Sequence, residues 1–139
     1  MNHRAPELLL PAGNGSAILI GWGRPDHRRF MLLDAGPRRT AKAVIGRVRK
    51  AVGTKGRLEL MAISHADANS VEGAIDLLQS GIEANDVWFN GPTTVSRSTL
   101  APTRAVGAFE QAVAARRLRL NAAFQGKPVL AATIGTLPR

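Results

Sequence analysis

The hydrophobic positions of the chain follow two different periods. Short apolar runs bounded by turn residues predict strands, and apolar residues spaced three or four apart predict helices. The predicted strands cover residues 7–11, 16–22, 28–34, 58–64 and 87–89, with a weaker one at 127–131. The predicted helices cover residues 40–52, 70–81 and 104–117, the first capped by Thr40 and the second by Ser70. Strands that come first and then alternate with helices predict an α/β fold with one mixed sheet and helices on one face.

The loop that follows the strand at 58–64 concentrates the candidate chemistry. It runs from Ser64 to Ser70 with the sequence SHADANS and leads directly into a predicted helix. Loops at the carboxyl ends of strands are where open α/β sheets build their sites. The imidazole of His65 and the carboxylate of Asp67 are therefore the first candidate site residues. The alternative is a loop histidine that forms hydrogen bonds only with the backbone, because isolated His-x-Asp pairs are common.

The same loop resembles the metal-binding loop of the metallo-β-lactamase-fold hydrolases. A common variant of the family pattern is His-x-Asp-x-Asp-His-x-Glu-Gly-Ala, preceded by Ser or Thr. The positions that match it are Ser64, His65, Asp67, Glu72, Gly73 and Ala74. Asn69 stands where the family has Asp, and Ser70 stands where it has His. The resemblance extends over segments 8–20, 30–37, 86–91, 120–124 and 134–138, in the family's order.

The resemblance implies a fold and a reaction. The family fold is an αββα sandwich in which each sequence half supplies one sheet, and this chain resembles the N-terminal half only. The family reaction is zinc-dependent hydrolysis, in which a metal-bound hydroxide attacks an ester, amide or phosphoester. The family's later metal ligands, which include further histidines, lie in the second half. We therefore expect a single domain over residues 1–139 that is truncated relative to the family and impaired or inactive as a hydrolase.

The donor chemistry of the loop leads to the same expectation. Zinc sites use imidazole, thiolate or carboxylate donors, and a catalytic site keeps three protein ligands. His65 and Asp67 supply two candidates, whereas the Asn69 amide and the Ser70 hydroxyl are poor zinc ligands. In the family the residue at the Asn69 position is an aspartate that acts as a base, and an amide cannot take that proton. Weak zinc binding or none is expected.

Asp34 is a further candidate at the edge of the site. It ends the predicted strand at 28–34, on the same sheet edge as His65. Its carboxylate equally suits a cap on the turn that follows, and the sequence leaves both roles open. The other histidines, His3 and His27, occupy no ligand position of the family pattern.

The composition narrows the class of protein. The chain has no cysteine, which excludes disulfides and thiolate-bound zinc. Residues 1–7 lack the features of a signal peptide, and no apolar run is long enough to cross a bilayer. These features predict a cytoplasmic protein.

The net charge of +9 suggests an alternative to the hydrolase function. Eight cations lie between Arg38 and Arg57 with no acidic residue among them, and a second cluster comprises Arg116, Arg117 and Arg119. Either these are the solvated faces of helices, or the protein is a non-catalytic module that binds a protein partner or nucleic acid through a basic face. No aromatic residues interleave with the clusters, so no base-stacking platform is indicated.

Apolar residues on both faces of the predicted strands indicate an assembly. A half-sandwich covers one sheet face with helices and leaves the other face without its partner sheet. Exposed apolar patches of that kind mark interfaces or aggregation. We therefore expect a homo-oligomer, or a complex with a chain that supplies the missing half.

Overall fold

The fold is built on one five-stranded sheet and three helices. A computed structural model describes residues 7–91 and 104–130. The strands are β1 (Glu7–Leu9), β2 (Ile18–Arg24), β3 (His27–Leu33), β4 (Arg57–Ile63) and β5 (Glu83–Phe89). The helices are α1 (Ala41–Val52), α2 (Ala68–Gln79) and α3 (Arg104–Ala115), with short 3-10 turns at Arg38–Thr40 and Ala122–Phe124.

The strands lie side by side in sequence order, and their direction changes once. The β1–β2 and β2–β3 pairs are antiparallel, whereas the β3–β4 and β4–β5 pairs are parallel. A tight turn at Pro25 and Asp26 connects β2 with β3, as suits an antiparallel pair. The helices α1 and α2 make the crossovers that parallel neighbours require. The predicted α/β fold with one mixed sheet is confirmed.

The core lies between the helices and one face of the sheet. A single buried cluster joins all three helices to the strands, and its fully buried members include Leu32, Val48, Met61, Leu77 and Phe109. The opposite face, here called the open face, carries large apolar side chains that are only partly buried. They come from β2, β3 and β4 and are Ile18, Ile20, Met31, Leu33 and Leu60. The described chain therefore covers one face of the sheet better than the other.

The predicted helix starts need two corrections. The residue that caps α2 is Asp67 and not Ser70, because the Asp67 carboxylate accepts a hydrogen bond from the Ser70 N–H at 2.9 Å. Thr40 precedes α1 as predicted, but its hydroxyl does not cap the helix and instead donates to the Pro37 carbonyl at 3.1 Å. Within residues 7–91 and 104–130, each helix is too short or too polar to cross a membrane.

The outer edge of β5 is covered by the segment after α3. Leu120 forms an isolated parallel bridge to Val87, and the Asn121 N–H donates to the Val87 carbonyl at 2.7 Å. The buried Asn121 amide then bonds both the N–H and the C=O of Phe89, each at 2.9 Å. The Asn121 side chain therefore takes the place of a neighbouring strand. It satisfies backbone groups of β5 that would otherwise be open to pairing with another strand.

The predicted final strand is wrong over the part that can be checked. Residues 127–130 form no strand, because Val129 pairs with the Asn90 side chain in place of a strand backbone. Its N–H donates to Asn90 Oδ1 at 2.8 Å, and Asn90 Nδ2 donates to its carbonyl at 2.7 Å. Ala131, the last residue of that predicted strand, lies outside the described residues.

Candidate functional site

Three loops meet at the carboxyl edge of β3 and β4. They are residues 10–17 between β1 and β2, residues 34–37 after β3, and residues 64–67 between β4 and α2. Gly36 has a positive φ of 69°, and a Cβ there would lie 2.9 Å from the Ala12 Cβ. Only glycine therefore fits this position, and its small size lets the first two loops touch.

Asp34 lies at the centre of these loops. It is 4% exposed and adopts a left-handed backbone with φ 57°. Its carboxylate accepts hydrogen bonds from the Ser64 N–H at 2.8 Å, from Ser64 Oγ at 2.5 Å and from Ser16 Oγ at 3.3 Å. Through these contacts Asp34 connects β3 with the loop after β4.

Ser64 connects Asp34 with His65. Its Oγ lies 2.7 Å from His65 Nδ1 as well as 2.5 Å from Asp34 Oδ2. A hydroxyl has one proton to donate, and the bond to the carboxylate is the stronger because the acceptor is charged. The Ser64 oxygen then accepts a bond from His65 Nδ1–H. We infer that His65 is held with its Nε2 lone pair free, as a metal-ligating histidine is held by its outer-shell partners.

The other candidate ligands do not converge with His65. Asp67 is exposed, and its Oδ1 caps α2. Asn69 is exposed in the first turn of the helix, and Ser70 beside it is only 8% exposed. Among residues 7–91 and 104–130, there is no group of three His, Cys, Asp or Glu side chains that could hold a metal ion. The donors described here do not fit a zinc centre.

Glu72, another residue that matches the family pattern, lies on α2 and faces the turn before α1. Its carboxylate accepts a long hydrogen bond from the Arg38 N–H at 3.4 Å. One helical turn later, Asp76 forms an ion pair with the Arg38 guanidinium at 3.5 Å. Both carboxylates therefore hold the turn at Arg38–Thr40 against α2, which is a structural role.

A small cavity of about 180 Å³ opens beside Ser64. It is lined by Leu33, Ala62, Trp88, Asn90 and Val129 together with the serine. Pockets that enclose a drug-sized ligand measure roughly 300–1,000 Å³. The described part of this cavity could therefore hold a small group of a substrate, but it is too small to enclose a drug-sized molecule.

Sequence reasoning placed His65 and Asp34 at one edge but missed the serines that connect them. Ser64 carried a signal, since it matches the Thr/Ser that opens the family loop. Neither hydrogen bond is visible in the sequence, because the partners are 18 and 30 positions apart.

Comparisons with solved structures give a partial similarity. Two solved structures of a Cronobacter sakazakii metallo-β-lactamase with a HARLDQ motif, one of them a mutant, are 25% identical to this chain with a TM-score of 0.37. Each match covers 58% of this chain, which spans only 27% of the other protein. The chain matches no protein-family model and no curated protein.

Proposed function

We propose that this chain resembles the N-terminal half of a metallo-β-lactamase-like hydrolase, and that metal-dependent hydrolysis by residues 1–139 alone is impaired or absent. The observation that supports this best is the hydrogen-bonded chain Asp34–Ser64–His65. These hydrogen bonds orient the His65 imidazole as a metal-ligating histidine is oriented. The imidazole lies at the carboxyl ends of β3 and β4, where α/β sheets place their sites.

The remaining donors explain why hydrolysis is not expected. A catalytic zinc site needs three protein ligands and a water. Beside His65 there is the exposed Asp67, one of whose oxygens is used as a helix cap, and then the neutral side chains of Asn69 and Ser70. We derive no hydrolytic step from this set. It supplies too few ligands to hold a catalytic metal, and no side chain at the Asn69 position can accept a proton from water.

The open face supports a proposal about the partner. In the family, a second sheet packs on the first. Here Ile20, Met31 and Leu60 are partly exposed, and Trp22 at the end of β2 is 38% exposed. Burial of such groups yields roughly 25 cal/mol per Å² of apolar surface. We propose that a second sheet covers this face, as one does in the family.

A zinc titration tests the proposed function. The proteins are the unmodified chain, the double variant N69D/S70H, and the same variant with His65→Ala added. Restoring the two donors should tighten zinc binding by about tenfold or more, and removing the imidazole should cancel most of that gain. Circular dichroism of each variant checks that the larger side chain at the buried position 70 is accommodated.

Two results would contradict the proposal. One is tight stoichiometric zinc binding by the unmodified chain. The other is a folded double variant whose zinc affinity is unchanged, since His65 would then not be oriented toward a metal position.

A further inference from the structure

One member of the first basic cluster and two members of the second line a common groove. It measures about 560 Å³ and is lined by Arg57 from the first cluster and by Arg117 and Arg119 from the second, with Glu59 and Asn85 beside them. The groove lies at the amino ends of β4 and β5, whereas His65 follows the carboxyl end of β4. The length of β4, about 20 Å, separates the two sites.

The groove carries excess positive charge. Arg57 is paired with Glu83, and the Glu59 carboxylate contacts Arg29 at 3.8 Å and the Asn85 amide at 3.0 Å. In the described part of the chain, neither Arg117 nor Arg119 forms an ion pair. Two exposed guanidinium groups therefore remain for an external anion.

The backbone at Arg117 points to a role for its side chain. Arg117 has a φ of 53°, in the left-handed conformation that ends α3. The Leu118 N–H donates to the Val113 carbonyl at 3.1 Å, and the Arg117 N–H donates to the Ala114 carbonyl at 3.0 Å. Glycine is the usual residue at this position of a helix end, because it adopts the conformation without strain. Arginine is the less stable choice here, and it places a cation in the groove.

Arg119 continues the same surface. The segment after Arg117 runs beside β5, where the Arg119 carbonyl accepts from the Val87 N–H at 2.8 Å. Arg117 and Arg119 both line the groove. The two arginines therefore form a short row along the groove.

We propose that this groove binds the phosphate backbone of a nucleic acid strand. Guanidinium groups bind phosphate oxygens in a bidentate manner, and a row of them suits a repeated anion. The net charge of +9 adds a long-range attraction for a polyanion. Among the residues that the structure describes, no aromatic side chain lines the groove, so binding is expected to be independent of base sequence and sensitive to salt.

Fluorescence anisotropy tests the proposed strand binding with labelled single-stranded RNA and DNA. The probes have about 20 nucleotides, because a single binding site covers fewer than that. The variants are Arg117→Gly and Arg119→Gln, singly and together. The matched control, R47Q/K50Q, removes the same charge from exposed positions of α1. The groove double variant should bind about tenfold more weakly and lower the salt slope by about two, and the control should change affinity less than about threefold.

Arg117→Gly separates binding from folding. Because glycine relieves the left-handed strain, this variant should melt at the same temperature as the unmodified protein or at a higher one, while its affinity for the strand falls.

Four outcomes overturn the proposal. The first is no binding at about 50 mM salt. In the second, the α1 control loses as much affinity as the groove double variant, which would show that affinity depends only on the total charge of the protein. In the third, poly-glutamate competes as well as unlabelled RNA at equal charge, which indicates an acidic protein partner. In the fourth, inorganic phosphate displaces the strand at constant ionic strength, which indicates a small-anion site.

Discussion

Gly73 of α2 lies against the carbonyl oxygen of Ala35, with no space for a side chain between them. A Cβ on Gly73 would come 2.1 Å from that oxygen, and the Gly73 N–H donates to the Gly36 carbonyl at 2.9 Å. This contact brings α2 onto the loop that holds Asp34. The Gly-Ala pair in the loop pattern is therefore needed for packing, in addition to any chemistry nearby.

Gly73→Ala should lower the free energy of unfolding by about 2–3 kcal/mol, because the methyl group must displace backbone. Gly46→Ala on α1 is the matched control. Apart from its chain neighbours and its own helix backbone, no atom of the described residues lies within 4 Å of a Cβ there, so this variant should raise the stability by roughly 0.5–1 kcal/mol. Urea unfolding measures both changes, and equal effects of the two variants would disprove the close contact.

Asp67→Ala should cost about 1 kcal/mol of stability, because α2 loses its cap. Asp67→Asn keeps an acceptor oxygen and should be nearly neutral. Thermal melts compare the two variants. If both melt like the unmodified protein, the carboxylate does not support the helix, and a role limited to ligand binding becomes the better account of Asp67.

The tautomer of His65 provides a spectroscopic check. In the inferred arrangement, neutral His65 carries its proton on Nδ1, since Ser64 accepts from it and donates to Asp34. Long-range 1H–15N spectra in neutral solution should show the Nδ1–H form in the unmodified protein. Ser64→Ala should shift the population toward the Nε2–H form. An Nε2–H imidazole in the unmodified protein would mean that the hydroxyl donates to the ring, and that His65 is not oriented as proposed.

The open face predicts self-association or a partner chain. Light scattering at micromolar concentration should give a mass above that of the monomer, or aggregation, for the unmodified protein. Met31→Glu should move the mass toward that of a monomer, because it introduces a charge into the apolar face. Ala43→Glu on the exposed side of α1 is the control and should leave the mass unchanged. A cooperative monomer that binds no apolar dye would show that the chain closes its own core.

The sequence allowed the prediction of those features that depend on local patterns. The strand–helix order and the apolar stripe of α1, with Val44 and Val48 buried, follow from hydrophobic period. The capping role of Asp67 was not predicted, because helix caps and metal ligands use the same carboxylate. Asn121 could not be recognised, since its contact with Phe89 spans 32 positions. The same reason hides the pairing of Val129 with Asn90, which replaces the strand predicted there.

Zinc content is the most direct test of the central claim that this chain orients one ligand but cannot hold the metal by itself. The unmodified protein is loaded with zinc, treated with a mild chelator, desalted and analysed by plasma mass spectrometry. The account predicts zinc far below one equivalent per chain, in a sample that remains folded by circular dichroism. Zinc retained at one equivalent or more per chain would contradict it, since a complete ligand set would then have to exist.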